Sequence, residues 1–468
     1  MSDVQKISAF PAKAFFVNML TRDIELSDAI LDLLDNCVDG VLRKRKEMGL
    51  TEEGQMPYSG YKAELTIDPH QFSIKDNCGG IPIDIAEKYA FRMGRSDDRD
   101  KDLPTVGMYG IGMKRAIFKI GRNCNVTSNT SEKAFEVSIT PTWLEDDAEW
   151  ELPLTHVPTP DGEPGTTITV TELYENIANS FSQERSNFID QLFENIASQY
   201  SFIIKKGFQI SINDVLVKPM PIELLFDTEQ ETGISPYVYS GVIDDVSVLL
   251  EVGFYRPTPS EDELEEDQDI KRTKDDSGWT IICNDRVVVY KDKTILTGWG
   301  EANVPAFHNQ FIGISGVVIF KSNKAEKLPL TTTKRGLEAS SVLYLQVKNY
   351  MREGTKIFTS YTNVWKKDPD KERETSDRAK PINVLEIPSY IPEEKWKPIL
   401  VNNNSTEKRF IPNLPKPSVE NPRRQIRFIR ELSEIKKVAE YLFEDPNTSP
   451  ADVGNACFDQ ILRSIDEE

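Results

Sequence analysis

Residues 26–47 contain the pattern that most restricts the fold of this chain. Apolar residues recur there at the i, i+3, i+4 spacing of an amphipathic helix, and Gly49 is a plausible stop. Asp32, Asn36 and Asp39 fall on one stripe of this helix, about a turn apart. Such a stripe is typical of a solvated face, yet aspartate and asparagine are poor helix formers, and glutamate or lysine would suit a solvated face better. The helix alone leaves both interpretations open, a solvated face and a functional stripe.

A second stretch, IKDNCGGIP at residues 74–82, ends a region whose alternating pattern predicts two strands. Gly79 and Gly80 allow a tight turn and a close approach of the backbone to a flat ligand. The carboxylate of Asp76 can accept a hydrogen bond from an exocyclic amine of such a ligand. Taken alone, the same residues also describe an ordinary turn.

A third stretch, VGMYGIGMKRA at residues 106–116, is rich in glycine and leads into a predicted helix. Glycines before a helix leave backbone N–H groups free to face a phosphate, and the helix dipole adds to this. A Walker motif is absent, and no buried strand precedes the loop as a dinucleotide fold would require. The residues concerned are Gly107, Gly110, Gly112 and Lys114.

The order of these stretches is more specific than any one of them. The polar helix, the Asp76 turn, the glycine loop and a strand that opens on Gly165 and Thr166 follow one another along the chain. This order resembles the GHKL ATPase superfamily, which includes gyrase, heat-shock chaperones, histidine kinases and MutL-type repair proteins. The resemblance covers residues 10–178 and implies an α+β protein with a GHKL (Bergerat) ATP-binding α/β sandwich. A histidine kinase is disfavoured, because no phospho-acceptor helix with a central histidine is visible.

The resemblance implies roles for the polar stripe. Asn36 looks like the amide that holds Mg²⁺ against the phosphates of ATP. Asp32 stands where hydrolytic members keep the general base that polarises the attacking water, and Asp39 supports the stripe. Aspartate at this position is one methylene shorter than the usual glutamate, so the water must lie closer or turnover will be slower.

The resemblance also implies an adenine pocket and a phosphate loop. Asp76 looks like the carboxylate that reads adenine, with Thr166 and a water assisting and Gly80 in the turn. Cys78 replaces the usual first glycine of this turn, and glycine is displaced to position 79. The glycine loop resembles the hinge of the lid around the phosphates, where Lys114 adds charge; its residues are Gly107, Gly110 and Gly112.

A second domain sharpens the resemblance. The stretch KLPLTTTKRGLEASS at residues 327–341 is similar to the loop of heat-shock chaperones, MORC and MutL proteins from which a basic residue reaches the γ-phosphate. Lys334 aligns best and Arg335 is the fallback, while a basic surface loop is the simpler alternative. Two hairpins, with predicted turns at 213–214 and 284–285, are similar to the ribosomal-S5-like α/β transducer domain of these relatives.

Residues 257–276 are acidic and lack periodicity, which predicts a loop within the second domain. The segment 366–422 is rich in proline and charge, which predicts an extended strap or linker. A basic stripe near the C-terminal helices can be a solvated face or a nucleic-acid contact. It consists of Arg423, Arg424, Arg427 and Arg430. The predicted segments are 1–180 for the ATP-binding domain, 181–365 for the transducer, 366–422 for the strap and 423–468 for a small helical tail.

Composition narrows the remaining possibilities. The chain has 468 residues and a net charge of −20, which disfavours bulk attraction to nucleic acid. Its five cysteines are scattered and its histidines number three, so reduced thiols are expected, and a histidine zinc site or a Ser-His-Asp hydrolase is disfavoured. No apolar run is long enough to span a membrane and no signal peptide is evident, so a cytoplasmic protein is expected.

The function expected from the resemblance is an Mg²⁺-dependent ATPase that dimerises when ATP binds and hydrolyses ATP slowly. Its layout is most similar to stand-alone MORC-like or heat-shock-chaperone-like ATP-binding proteins. Three functions of such an ATP-binding protein stay open. It could be a clamp on nucleic acid, for instance in defence against phage, or a chaperone-like or signalling ATPase with a protein partner. It could also be an ATP-sensing module that does not hydrolyse ATP. The acidic balance favours a protein partner or effector, whereas the arginine stripe keeps nucleic acid open.

Overall fold

A computed structural model describes most of the chain as two compact units, residues 1–417 and 418–468. Each unit is described by itself. The described residues are 12–50, 56–92, 111–182, 184–229, 232–257, 276–331, 336–366, 368–399, 407–417, 426 and 428–466. The architecture is mixed α+β, as predicted.

The first unit contains an eight-stranded sheet whose strand order is β5-β4-β3-β6-β2-β1-β7-β8. Its described neighbours pair antiparallel except β1 and β7, which run parallel. Alternate residues of β1 and β2 are buried, as expected for strands with one face on a core. The strands are β1 (Lys62–Ile67), β2 (Gln71–Asp76), β3 (Gly121–Asn129), β4 (Ala134–Ile139), β5 (Leu154–Val157), β6 (Gly165–Leu173), β7 (Gln209–Ile212) and β8 (Val215–Leu216).

Helices cover the buried face of this sheet. The central helix, Leu26–Glu47, has the bounds predicted from its periodicity, and its leucines and valines join the core formed with β1, β2, β3 and β6. Burying this apolar stripe stabilises the helix more than its propensity does, since it carries many aspartates. The helices are α1 (Lys13–Thr21), α2 (Leu26–Glu47), α3 (Ile83–Ile85), α4 (Gly112–Ile120), α5 (Pro141–Glu145), α6 (Glu175–Phe181), α7 (Phe188–Gln199) and α8 (Ser201–Lys205), with a π-helical turn at Ala86–Ala90.

A seven-stranded second sheet follows, in the order β13-β12-β14-β11-β10-β17-β16. The long helix α9 (Val342–Trp365) packs one buried side against one face of this sheet. The other strands and helices of this part are β9 (Glu223–Phe226), β10 (Tyr237–Ile243), β11 (Val246–Phe254), β12 (Gly278–Cys283), β13 (Arg286–Asp292), β14 (Ile314–Lys321), α10 (Pro369–Ser376), β15 (Lys380–Asn383), α11 (Ile387–Tyr390), β16 (Lys397–Pro398) and β17 (Lys408–Phe410), with 3-10 turns at Ile295–Thr297, Asn309–Phe311, Ala325–Lys327 and Glu393–Lys395.

Two segments differ in detail from the sequence-based expectation. The hairpin at 209–216 was expected in the second domain, but β7 pairs with β1 and extends the first sheet. The Pro-rich strap contributes β15 and β17 to the sheets, and it buries Val384, Ile387 and Trp396 against the second face of the seven-stranded sheet. Its apolar residues are too widely spaced to predict a core, yet each meets a partner supplied by the sheet.

The predicted Asn-Asp turns are confirmed. Asn213 and Asp214 have φ of 47° and 65°, and Asn284 and Asp285 have φ of 47° and 68°. Positive φ at both central residues is the requirement of a type I′ hairpin turn, which asparagine and aspartate tolerate. The second of these turns places Asp285 and Arg286 at the contact between the two sheets.

The second unit contains two helices, α12 (Leu432–Phe443) and α13 (Pro450–Asp466). A capping box of Glu431 and Glu434 starts α12, and the Ser449 hydroxyl accepts a hydrogen bond from the Asp452 N–H at the start of α13. Ser449 is therefore the N-cap of α13. Of the arginine stripe only Arg430 is described, since Arg423, Arg424 and Arg427 lie outside the described residues, as does most of the acidic loop.

In the parts of the chain that the structure describes, no helix has both the length and the apolar character needed to cross a membrane.

One buried carboxyl lies in the second sheet without a partner. Glu251 is 0% exposed, pairs with Val238 and Val317 on the flanking strands, and has no hydrogen-bond partner for either carboxyl oxygen among the described residues. Burial raises its pKa well above the ordinary value. The folded state therefore binds this proton at pH values where the unfolded chain has lost it.

We predict that Glu251→Gln flattens the dependence of stability on pH. Because the folded pKa is raised, the contribution of Glu251 to stability is fully present below the unfolded pKa of about 4.3 and falls by up to about 1.4 kcal/mol per pH unit above it. Glutamine does not titrate, so the free energy of unfolding of the variant should fall less between pH 5 and pH 8 than that of the natural chain. Urea denaturation at the two pH values measures this difference. Glu64→Gln, at an exposed carboxylate, is the control; equal slopes for all three proteins would contradict the prediction.

Candidate functional site

Helix α2 exposes one side chain in the middle of a buried stretch. Within residues 29–41 every residue is buried except Asn36. The Asn36 amide makes no hydrogen bond with the described part of the chain, and an amide offers an acceptor and two donors. Asp32 and Asp39, the other members of the predicted stripe, are 7% and 2% exposed. The stripe is therefore not a solvated face, and only Asn36 opens to solvent.

The carboxylate of Asp32 is held by an arginine that follows the glycine loop. Nη2 of Arg115 lies 2.6 Å from Oδ2 of Asp32, and both side chains are largely buried. Gly112, the first residue of α4, packs on the same carboxylate, since a Cβ there would lie 3.4 Å from Asp32 Oδ2. The start of α4 and the Arg115 guanidinium therefore both place positive charge beside this carboxylate.

Asp76 ends β2 and is surrounded by donors. The Cys78 N–H donates to Oδ1 at 2.7 Å, the Cys37 thiol lies 3.5 Å from Oδ2, and the Thr166 N–H also hydrogen-bonds to the carboxylate. Burial raises the pKa of Asp76, while these hydrogen bonds lower it. Burial likewise raises the pKa of both thiols. The Asp76 turn and the strand that opens on Thr166 are thus brought together, as the resemblance implies.

Glycines permit this close assembly. A Cβ at Gly165 would lie 1.9 Å from the Asp76 carbonyl oxygen, and one at Gly80 would lie 2.1 Å from the Asn129 carbonyl oxygen. Gly80 also has φ of +72°, which favours glycine. Gly40 lets α2 approach the turn, because a Cβ there would lie 2.9 Å from the Cys78 carbonyl oxygen. The glycines therefore seat the Asp76 turn between α2 and β6.

Comparison with known families agrees with this arrangement. Residues 24–161 match the family described as histidine kinase-, DNA gyrase B-, and HSP90-like ATPase. Residues 24–161 therefore belong to the GHKL superfamily. The match includes α2, the Asp76 turn and the start of α4, so this part of the chain is an ATP-binding domain of the GHKL type. No curated protein matches the sequence significantly.

Lys114 of the GHKL domain takes a different direction from its neighbour Arg115. Its ammonium donates to the Ala90 carbonyl oxygen at 2.9 Å and is 3% exposed. Burial lowers its pKa to about 8. In the described arrangement Lys114 therefore fastens α4 to the π-helical turn, and Arg115 is the cation beside Asp32.

Other residues predicted from the sequence cannot be placed in this site. Gly107 and Gly110 of the glycine loop, and Lys334 with its fallback Arg335, lie outside the described residues. Of the predicted set, Asp32 meets Gly112, Asp76 meets Thr166, and Gly80 packs on Asn129 and Gly165. Asn36 is exposed on the helix that carries Asp32.

Helix α2 is also bound to the second sheet. Asp35, next to Asn36 in sequence, accepts hydrogen bonds from the Tyr200 hydroxyl at 2.5 Å and from Nε of Arg286 at 3.0 Å. The guanidinium lies 4.3 Å from the Tyr200 ring centroid and also donates to Gln199. Asp35, Arg286 and Tyr200 are 3%, 7% and 0% exposed, so this is a buried ionic contact.

A second buried pair lies beside it. Both oxygens of Asp285 accept hydrogen bonds from the Lys206 ammonium, at 2.7 and 2.6 Å, and the Tyr58 hydroxyl donates to Asp285 at 3.3 Å. The Asn284-Asp285 hairpin of the second sheet therefore presents two consecutive charged side chains, Asp285 and Arg286, to residues that pack with the first sheet. Each meets an opposite charge there, Lys206 and Asp35.

The sequence analysis missed Arg115, Asp35 and Arg286. Arg115 adjoins Lys114, and the motif alone cannot show which of two consecutive cations faces Asp32. Asp35 lies on the helix side that periodicity assigns to the core, which was the available sign that it needs a buried partner. Its partner, Arg286, is about 250 residues away in the sequence, and no local sequence pattern can predict such a contact.

We predict that Arg286→Met destabilises the protein by about 3–5 kcal/mol, because it leaves the Asp35 charge buried without its cation. The double variant with Asp35→Asn should lose less than the single variant, since no charge then remains unpaired. Free energies of unfolding from urea denaturation measure both effects. Lys62→Met, which breaks the exposed pair with Glu64, is the control and should cost less than about 1 kcal/mol; an equal cost for Arg286→Met would contradict the prediction.

Proposed function

We propose that this protein binds ATP with Mg²⁺ and hydrolyses it slowly. The observation that supports this best is the exposure of Asn36 on an otherwise buried stretch of α2. Along this helix Asn36 lies between Asp32, which pairs with Arg115, and Gly40, which contacts the Asp76 turn. An amide, a carboxylate with a cation, and a second carboxylate are the groups needed for a metal, a water and an adenine amine. They lie on elements that the GHKL match covers.

Asn36 fits a Mg²⁺ ligand. Mg²⁺ keeps several waters and takes few protein oxygens together with substrate phosphates, so one exposed amide oxygen suits it better than a closed cage. When bound, the metal would neutralise phosphate charge and orient the terminal phosphate. The role of Asn36 in this proposal is to offer that oxygen.

Asp76 is proposed to read adenine. Its carboxylate must stay ionised to accept a hydrogen bond from the exocyclic amine, and the hydrogen bonds from Cys78 and Thr166 favour that form. Gly79 and Gly80, at φ of +105° and +72°, give the turn a backbone conformation that other residues rarely adopt.

Asp32 is proposed as the general base. The water oxygen forms a bond to the γ-phosphorus as the bond to the β–γ bridging oxygen breaks, ADP leaves with the electron pair, and Asp32 accepts the water proton before releasing it to solvent. An aspartate reaches less far than a glutamate. Its ion pair with Arg115 also occupies one carboxylate oxygen, and both effects favour slow turnover.

We predict that Asp32→Asn keeps Mg-ATP binding and loses turnover, because an amide cannot accept the proton; a loss of about 10²–10⁴-fold is expected. Calorimetry would measure binding, and release of phosphate would measure turnover. Asp23→Asn, at an exposed carboxylate just before α2, is the control. Turnover that survives in Asp32→Asn would reject the base assignment.

Asn36→Ala separates the metal assignment from the base assignment. It should remove the part of the ATP affinity that depends on Mg²⁺, leaving binding in the presence of a chelator unchanged. An unchanged Mg²⁺ dependence would exclude Asn36 as the metal ligand.

We further propose that ATP promotes dimerisation of the GHKL domain and that Lys334 couples the bound γ-phosphate to the second domain. The support for both is the resemblance to two-domain relatives. A protein partner or effector is the proposed client, since the net charge of −20 favours it over nucleic acid.

We predict that a non-hydrolysable ATP analogue doubles the mass of the protein in solution, whereas ADP does not. Light scattering coupled to size-exclusion chromatography measures this directly. Lys334→Ala should reduce the ATP-driven change. A mass that is the same with both nucleotides, at concentrations where both are bound, would contradict the dimerisation proposal.

A further inference from the structure

Arg115 has a donor that the described structure leaves unused. Nη2 of its guanidinium is paired with Asp32, but Nε is buried and has no hydrogen-bond partner among the described residues. Buried guanidinium N–H groups normally donate to an acceptor. A buried N–H without one has lost its hydrogen bond to water and gained none in exchange, which costs free energy. The Asp32 pairing therefore satisfies this cation only in part.

The position of Arg115 suggests what the missing acceptor is. Asp32 and Asn36 are one helical turn apart on α2, and side chains at this spacing are neighbours. Arg115 contacts Asp32, and Gly112 at the start of α4 packs on the same carboxylate. In the proposed site Asn36 would hold the metal and Asp32 the water, so the terminal phosphate of ATP belongs between them. Arg115 is the cation that the structure places on Asp32, at 2.6 Å.

We propose that Arg115 reads the terminal phosphate of ATP and releases Asp32 as it does so. A guanidinium binds phosphate oxygens through two parallel N–H bonds, whereas its pairing with Asp32 uses one nitrogen. A terminal phosphate therefore supplies the acceptor that Nε lacks and competes with Asp32 for the charge. Without nucleotide, Asp32 stays paired; with ADP, no γ-phosphate reaches Arg115. This inference rests on the proposed function, because it takes Asp32 as the base.

Affinities for ATP and ADP, measured by calorimetry in Mg²⁺, test the proposal. For Arg115→Gln the ATP affinity should fall by on the order of tenfold or more, as loss of a charge-assisted hydrogen bond implies. The ADP affinity should stay unchanged. Beryllium fluoride added with ADP stands in for the terminal phosphate, and the tightening that it gives the natural protein should be lost in this variant.

Arg122→Gln is the matched control. It removes an arginine from β3 whose partner is Glu145, outside the site, and it should leave the ATP-to-ADP affinity ratio unchanged. Arg115→Lys keeps the positive charge but not the two parallel N–H donors of the guanidinium, and it should restore part of the ATP-to-ADP affinity ratio.

Each outcome decides between two roles for Arg115. A residue that only holds α4 on α2 would lower the ATP and ADP affinities together, so an unchanged ratio in Arg115→Gln overturns the proposal. If Arg115→Gln does not fold, the Asp32→Asn variant tests the proposal instead. Arg115 pairs less tightly with an amide than with a carboxylate, so more of it is free to bind phosphate, and the ratio of ATP affinity to ADP affinity should rise. An unchanged or lower ratio there overturns the proposal. Failure of the natural protein to bind either nucleotide would reject the proposed function instead.

Discussion

The ion pair of Asp35 and Arg286 fixes the position of α2 relative to the second sheet. It is enclosed by Tyr200, and the neighbouring pair of Asp285 and Lys206 lies in the same contact. Buried charges are tolerated only when they are paired and hydrogen-bonded, so this contact can form in one geometry and is costly to break. The helix that carries the candidate site is therefore held in place by a hairpin of the second sheet.

This explains the density of acidic residues in one helix, because each has a different surrounding. Asp35 pairs with Arg286 of the second sheet, Asp32 pairs with Arg115 of α4, and within residues 29–41 only Asn36 is exposed. Apolar residues between them join the core of the first sheet. Because Asp35 and Asn36 are adjacent in sequence, a shift of the helix that changes one contact must change the other. The helix thus connects the nucleotide side to the second sheet within a single turn.

Much of the fold could be predicted from local patterns. The bounds of α2, the type I′ turns at Asn213 and Asn284, and the Ser449 N-cap follow from periodicity and from backbone preferences of single residues. The juxtaposition of Asp76 and Thr166 came from the resemblance, and the glycines that permit it have steric reasons visible only in the structure. The partners of Asp32 and Asp35 could not be predicted, since Arg115 and Arg286 meet them through tertiary contacts that no spacing encodes.

The central claim is that ATP binds between the Asp76 turn and the start of α4. Hydrogen exchange measured by mass spectrometry, with and without saturating Mg-ATP, tests it directly on the intact chain. Bound nucleotide should slow exchange at residues 74–82 and 111–116 and leave the helices at 432–466 unchanged. Slowed exchange confined to other parts of the chain, or none at concentrations where ATP is bound, would contradict the account.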